Sequence, residues 1–163
     1  MARKNLEQEF LEHIKKHEGI IHKTCNIYTS SNDERQDLKQ EIIYQLWRSF
    51  PSFLGRSKFH TWMYRVALNT AIYFYKNKTP ATTDLSNIET EEDNSLIEYE
   101  EKLRKLYLAI RILNQIDRAI IFLYLEKHSY EQIGEIVGIS TKNVSVRIVR
   151  IKEKLRQNIK NQD

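Results

Sequence analysis

Residues 129–155 constrain the fold most, because they combine two helical patterns with a glycine between them. Ile133 and Ile136 give the first pattern an apolar face, and Gly138 has the backbone freedom that a tight turn between helices needs. Ser140 offers a hydroxyl group to cap the helix that follows. Apolar residues then recur at spacings of four, three and four, the period of one buried helical stripe. That stripe consists of Val144, Ile148, Ile151 and Leu155.

The outer face of this second helix is polar and basic, with two valines. The residues opposite the buried stripe, with Arg147 on the flank, are Lys142, Asn143, Val146, Val149, Arg150 and Glu153. Such a face suits the major groove of DNA, where Asn and Arg pair with base edges and a valine contacts a thymine methyl group. The alternative is a solvated helix whose valines dock against another helix.

The composition favours an all-α protein. The chain of 163 residues is 40% hydrophobic but contains only four glycines and two prolines, and no alternating Val, Ile and Thr pattern indicates a sheet. No apolar run reaches membrane-spanning length, and the first residues lack a signal-peptide core, so we expect a cytoplasmic protein. The lone Cys25 excludes an intrachain disulfide and a thiolate cluster from one chain.

The charge is distributed in three blocks. Residues 1–79 carry a net charge of +5, residues 80–101 carry −8, and residues 102–163 carry +7. We therefore predict two small helical domains, 1–79 and 102–163, joined by a flexible acidic linker, 80–101. Two basic blocks are typical of a bipartite nucleic-acid binder. The alternative is ordinary surface charge with one acidic loop.

Helical periodicity predicts five segments before the glycine-linked pair. They span residues 5–28, 34 to 47 or 50, 61–76, 100–113 and 117–126. Asn32 or Asp33 is the predicted N-cap of the second segment. That segment has an exposed polar face, which is either simply solvated or a docking surface for a larger partner. The face consists of Asp37, Gln40, Glu41 and Gln45.

Aromatic and basic residues are interleaved between Tyr44 and Tyr75, where ten of the 17 aromatic residues lie. Unpaired bases stack on aromatic rings while Lys and Arg hold the phosphates. We assign about half of these rings to packing. The remaining face of the third segment and the loop before it are predicted to form one pocket for an extruded base. The residues of that pocket are Phe53, Arg56, Lys58, Phe59, Trp62, Arg65, Asn69, Tyr73 and Lys76.

No catalytic set is evident, so we predict that the chain is not an enzyme and has no cofactor. His13, His17 and His22 have helical spacings to Glu9 and Glu18 that permit a metal site, but such spacings arise freely on polar helices. We therefore predict no metal. No phosphate-binding glycine loop or nucleophile motif occurs in the sequence.

Three motifs in order resemble the signatures of a known family. They are DERQDLKQEIIYQLWRSF, FHTWMYRVALNTAIYFYKNK, and LYLAIRILNQIDRAIIFLYLEKHSYEQIGEIVGISTKNVSVRIVRIKEKLR. Together with the acidic linker they resemble bacterial RNA polymerase sigma factors of the extracytoplasmic-function (ECF) group, in the sigma-70 family. The resemblance implies that residues 1–79 correspond to sigma region 2 and residues 102–163 to region 4.

The resemblance also implies roles for the residues. The helix carrying Asp37, Gln40, Glu41 and Gln45 is similar to the one that docks on the polymerase core. The aromatic pocket, from Phe53 to Lys76 as given above, is similar to the element that melts the minus-ten promoter region and captures a flipped base. The minus-thirty-five readers would be Lys142, Asn143, Ser145, Val146, Arg147, Val149 and Arg150.

The expected function is promoter-specific transcription initiation. The implied partners are RNA polymerase core, promoter DNA and an anti-sigma factor, which many family members use, with no membrane insertion. Two other classes are possible from the residues. One is a helix-turn-helix regulator that acts without polymerase, and the other is an interaction module that has lost promoter reading.

Overall fold

A computed structural model describes residues 2–53, 55, 57–75 and 94–162, and the side chains of residues 94–97 are not described. Within these ranges the chain is helical and has no β-strand. The first four helices are α1 (Ala2–Lys16), α2 (Glu18–Tyr28), α3 (Asn32–Ser49) and α4 (Phe59–Tyr75), with a short 3₁₀ turn at Phe50–Ser52 after α3. The last four are α5 (Asn94–Ile112), α6 (Gln115–Leu125), α7 (Tyr130–Val137) and α8 (Thr141–Lys160). The all-α prediction is confirmed.

The predicted first helix is two helices. The chain breaks at His17, whose φ and ψ of −115° and 23° are not helical. The break lets α1 and α2 present separate apolar faces to the same core. Phe10 of α1 packs its ring 5.0 Å from Trp47 and 5.3 Å from Phe50, while Ile21 of α2 is buried. Gly19 lies just beyond the break, in the first turn of α2, but the apolar periodicity continues across it, so the sequence analysis did not divide the segment.

The N-terminus of α3 is capped by a residue outside the predicted pair. Ser31, rather than Asn32 or Asp33, accepts a hydrogen bond from the backbone N–H of Glu34 at 3.2 Å. The stripe Leu38, Ile42 and Leu46 is fully buried, as its spacing predicts. This burial leaves the opposite polar face of α3 toward solvent.

Helix α5 begins inside the predicted flexible linker. The expectation of a flexible segment is therefore wrong for residues 94–101, while residues 80–93 lie outside the described residues. The acidic residues that indicated a linker are compatible with a helix, because they pair with basic residues one turn later. Glu98 lies 3.8 Å from Lys102, and Glu101 lies 3.8 Å from Arg104.

The helices form an N-terminal half (α1–α4) and a C-terminal half (α5–α8) that touch each other. In the first half α4 packs on α2 and α3, and in the second α8 packs on α5, α6 and α7. Helix α2 also contacts α5, and α4 contacts α6 and α7. The division into domains at residues 79 and 102 stays a prediction, and the contact between the halves was not predicted.

Candidate nucleic-acid and protein-binding surfaces

The helix-turn-helix in α7 and α8 is built as its sequence predicts. Ser129 and Gln132 form a capping box at the start of α7, with bonds of 3.1 and 2.9 Å. Gly138 ends the helix with φ at +87°, in the left-handed region that favours glycine. Ser140 then caps α8 by accepting a hydrogen bond from the N–H of Asn143 at 3.1 Å.

A second glycine, which sequence reasoning missed, fixes the approach of the two helices. A Cβ atom at Gly134 would lie 2.6 Å from the carbonyl oxygen of Ile139. The carbonyl of Gly134 itself accepts from the N–H groups of Gly138, at 2.8 Å, and Ile139, at 3.0 Å. The turn therefore lies directly on the backbone of α7, and α8 takes its position from that contact.

The outer face of α8 is exposed over its first half. Val144 and Ile148 are buried, whereas Val146 is 43% exposed and Val149 is 68% exposed. The exposed polar members of the predicted DNA-reading face are Lys142, Asn143, Ser145 and Arg150. Among the described residues, neither Lys142 nor Arg150 forms an ion pair. Cations free of carboxylates beside small apolar groups are suited to phosphates and base edges.

Arg147 differs from the rest of this face. It is half-buried, and its Nη1 lies 3.3 Å from Oδ1 of Asp117, a buried carboxylate in α6. Asp117 also accepts a hydrogen bond from Asn114 at 3.1 Å and lies 3.6 Å from Lys154. This pair ties α8 to α6, so Arg147 has a structural partner that Lys142 and Arg150 lack.

The aromatic residues predicted to bind an extruded base form one cluster at the start of α4. The ring of Trp62 lies 5.1 Å from Phe53 and 5.4 Å from Phe59. Phe59 stacks on His13 at 4.3 Å, which joins the cluster to α1. Phe53, Phe59 and Trp62 are all half-buried, so each keeps part of its surface open to solvent, and Lys58 beside them is exposed.

The other predicted members of the pocket are spread along α4. Asn69 is exposed, and Tyr73 is 82% exposed near the far end of the helix. Arg56 and Lys76 lie outside the described residues. Trp62, Arg65, Asn69 and Tyr73 follow one side of α4, whereas Met63, Ala67 and Ala71 on the other side are fully buried. The structure thus brings together the aromatic part of the predicted pocket and leaves Tyr73 at a distance along the helix.

The polar face of α3 adjoins a groove against α1. Asp37 and Gln40 are exposed, while Glu41 accepts a hydrogen bond from Gln45 at 3.0 Å. The groove has a cavity volume of about 520 Å³. Its lining includes Phe10, Leu11, Gln40, Ile43, Tyr44 and Trp47. Leu11 is 57% exposed and Tyr44 is 56% exposed, so this face offers apolar as well as polar area.

The contact between the halves includes a residue of the predicted DNA surface. Nη2 of Arg65 in α4 donates to the backbone carbonyl of Glu135 in α7 at 2.8 Å. Close by, Oε2 of Glu126 accepts from Lys23 at 3.0 Å and from the hydroxyl of Tyr64 at 3.4 Å. Burial, followed by the charge of Glu126 and the hydrogen bond to it, raises the pKa of Tyr64 to about 12.

Histidines lie beside the same contact. His128 meets the ring of Tyr64 edge-on at 4.7 Å. The pKa of His60 is lowered first by burial and then by three neighbouring groups, namely Lys58, His128 and His17. His13 and His22 are engaged with Glu9, at 4.0 Å, and Glu18, at 3.2 Å. Within the described part of the chain, no three His, Cys, Asp or Glu side chains are grouped so as to hold a metal ion.

The capped helix-turn-helix, with its exposed basic face, places the chain in the class of helix-turn-helix DNA-binding proteins. Comparison with models of protein families identifies the family within that class. Residues 13–80 match the model of Sigma-70 region 2, and residues 103–155 match the model of Sigma-70 region 4.

Two relatives are named ECF RNA polymerase sigma-E factor. The one from Haemophilus influenzae is 32% identical over 149 residues, covering 81% of this chain and 77% of that protein. The one from Escherichia coli K12 is 31% identical over 150 residues, covering 81% and 78%. The chain therefore belongs to the sigma-70 family of RNA polymerase sigma factors, in the ECF group.

Two solved structures share the fold. CnrH in complex with the cytosolic domain of CnrY gives a TM-score of 0.70 at 17% identity, covering 96% of this chain and 91% of that one. The sigma factor RpoE in complex with the anti-sigma factor NepR, from Bartonella quintana, gives 0.65 at 20% identity, covering 96% and 98%. No helix among the described residues is long and apolar enough to cross a membrane.

Proposed function

We propose that this sigma factor divides promoter recognition between two surfaces, with α8 reading the minus-thirty-five element and the start of α4 opening the minus-ten element. The observation that carries the proposal is the outer face of α8. Its Lys142 and Arg150 have no carboxylate partner among the described residues, and Val146 and Val149 are exposed beside them. In this proposal the exposed valines contact thymine methyl groups in the major groove.

The aromatic cluster supports the minus-ten role. Phe53, Phe59 and Trp62 lie within 5.1 to 5.7 Å of one another and each stays half-exposed, which leaves ring surface for a base to stack on. Lys58 supplies a nearby positive charge for the phosphate of that nucleotide. Arg65 and Asn69 extend the same side of the helix. Arg65 reaches DNA in this scheme only after it releases the carbonyl of Glu135.

The polymerase-binding surface is assigned to α3. Asp37 and Gln40 are exposed, and the groove beside Gln40 adds Leu11 and Tyr44 as apolar area. Stable protein interfaces combine an apolar centre with a polar rim, and this face has both. Because its partner is the polymerase, the chain is expected to act in the cytoplasm and to leave catalysis of RNA synthesis to that enzyme. An anti-sigma factor is a further proposed partner, because both similar solved structures are complexes and one of them contains the anti-sigma factor NepR.

The test is transcription in vitro with purified core polymerase and a library of genomic promoters. The full chain should direct initiation at a defined set of start sites, and an Asp37→Ala, Gln40→Ala variant should lose initiation while folding normally. Arg156→Gln is the matched control, since Arg156 is exposed and, among the described residues, pairs only with Glu153 on its own helix. Failure to initiate on any promoter, combined with tight binding of free protein to duplex sites, would instead identify a regulator that acts without polymerase.

A further inference from the structure

Three arginines from both halves of the molecule meet where α2, α3, α5 and α6 come together. Arg118 of α6 is only 7% exposed, and its guanidinium lies 5.2 Å from the ring centre of Tyr28 in α2. Its Nη2 donates to the carbonyls of Arg111, at 2.6 Å, and Leu113, at 3.2 Å, at the end of α5. Arg111 in turn donates to the carbonyl of Asn26 at 3.3 Å. Arg35 lies in the first turn of α3, directly after the short connection from α2, and its Nε is buried. Its charge acts on Arg111.

Within the described ranges, these guanidinium groups bind only neutral acceptors. Besides the backbone carbonyls of Arg111, Leu113 and Asn26, the acceptor is Oδ1 of Asn32, 2.9 Å from Arg35. No carboxylate among the described residues forms an ion pair with any of the three. Glu34 acts on Arg111 at longer range, but its Oε2 faces the N–H and hydroxyl of Ser30, at 3.4 and 3.5 Å.

The donors of this cluster are also incompletely used. The Nε atoms of Arg35, Arg111 and Arg118 are all buried, and none has a hydrogen-bond partner in the part of the chain that the structure describes. A buried unpaired donor on a charged group is costly, and native proteins normally satisfy such a donor with a protein group, a water molecule or an ion. Arginine stays protonated in proteins, so the cluster cannot relieve its charge by losing a proton. Burial, followed by the charges of Arg118 and Arg35, lowers the pKa of Arg111.

We propose that Arg35, Arg111 and Arg118 form a binding site for an oxyanion of the phosphate class, either free phosphate or the pyrophosphate group of a nucleotide. The planar guanidinium fork, with its Nε–H beside an Nη–H, matches two oxygens of a phosphate. An anion at this point supplies the missing negative charge and the missing acceptors together. Since Arg35 belongs to the N-terminal half and the other two to the C-terminal half, the bound anion holds the halves against each other.

The site can be tested without polymerase or DNA, so its failure is separate from failure of the promoter-binding proposal. Full-length protein in Tris-chloride is titrated with phosphate, pyrophosphate and ATP by isothermal calorimetry, at an ionic strength held constant with sodium chloride. We expect saturable binding with one site per chain. Tighter binding of ATP than of phosphate assigns the site to a nucleotide, and equal or weaker binding of ATP assigns it to the free anion.

Arg35→Gln and Arg111→Gln should each weaken binding by roughly tenfold or more, the usual effect of losing a charged hydrogen bond. These two positions are preferred to Arg118, because replacing Arg118 would also remove its hydrogen bonds to the carbonyls at the end of α5. Arg156→Gln is the control and should bind as the original chain does, and circular dichroism checks that each variant is folded. Equal binding by all variants, or no saturable binding, would overturn the proposal.

The acidic residues between positions 80 and 93 are the competing source of negative charge. A variant in which these five acids are replaced by their amides separates the two sources, the acids being Asp84, Glu89, Glu91, Glu92 and Asp93. Phosphate affinity within a few fold of the original supports a site for a free anion. Binding that appears only after these acids are removed would show that the chain fills the site itself, and would overturn the proposal.

Discussion

Replacing Gly134 by alanine isolates the contact that sets the angle between α7 and α8. Alanine is the better helix former by about 1 kcal/mol, so propensity alone predicts a more stable protein. The added Cβ, however, would lie 2.6 Å from the carbonyl oxygen of Ile139, which belongs to the backbone and cannot rotate away. Relieving such overpacking costs about 1–3 kcal/mol. The steric cost therefore outweighs the propensity gain, and we expect a net loss of stability of about 1 kcal/mol.

Gly19 provides the matched control. It lies in the first turn of α2, and a Cβ atom there would meet nothing within 4 Å. Gly19→Ala should stabilise the chain by a few tenths to about 1 kcal/mol, because only the propensity and unfolded-state entropy terms act. The difference between the two variants, about 1–3 kcal/mol, measures the steric term by itself.

The assay is urea unfolding followed by the helical circular dichroism signal. Differences between the urea midpoints are converted to free energies of unfolding with one m-value common to all variants. A second measurement is the affinity of polymerase holoenzyme for promoter DNA. Gly134→Ala should weaken minus-thirty-five recognition, because the turn can yield to the new Cβ only by moving α8, while Gly19→Ala should leave it unchanged. If Gly134→Ala is as stable as Gly19→Ala and reads the promoter normally, the close approach does not position α8, and the reasoning fails.

Three further outcomes are expected. Asn143→Ala and Arg150→Ala should each reduce the free energy of promoter binding by about 1–3 kcal/mol, and only at particular upstream base pairs. Arg156→Gln is the control. A loss of affinity that is uniform over all sequences would mean that Asn143 and Arg150 contact only phosphate. Trp62→Ala should spare polymerase binding and reduce promoter opening, and unchanged permanganate reactivity of promoter thymines would contradict this. Because the pKa of His60 is lowered in the folded state, stability should fall as the pH drops below the unfolded-state pKa of about 6.5. His60→Gln should reduce this dependence of the unfolding free energy on pH, measured from urea unfolding curves at several pH values. An unchanged pH dependence would exclude His60 as its cause.

Local chemistry explains which elements the sequence predicted well. The cap at Ser140, the glycine at 138 and the stripe from Val144 to Leu155 act within one or two helical turns, so their pattern survives in the fold almost unchanged. The break at His17 had no such signal. On its N-terminal side Phe10 packs against Trp47 and Phe50, and those rings are distant in sequence.

Composition was misleading where the acidic segment meets α5. The density of acids from Glu98 to Glu101 indicated a linker, but the bases that pair with them, Lys102 and Arg104, follow one turn later and allow a helix. Gly134 was missed for a similar reason, since the sequence does not show that the carbonyl of Ile139 will lie 2.6 Å from its Cβ position.

The sequence by itself determined the helical class, the helix-turn-helix and the exposed basic face of α8, because periodicity, capping and the exposed side of an amphipathic helix are local properties. Only the tertiary structure decided how the halves meet. Packing of α4 against α7 joins Arg65 to Glu135, and the junction of α2, α3, α5 and α6 gathers Arg35, Arg111 and Arg118. Charges as far apart in sequence as positions 35 and 118 become neighbours through burial of the apolar surface around them. That burial is a property of the whole core, and no single segment of the sequence contains it.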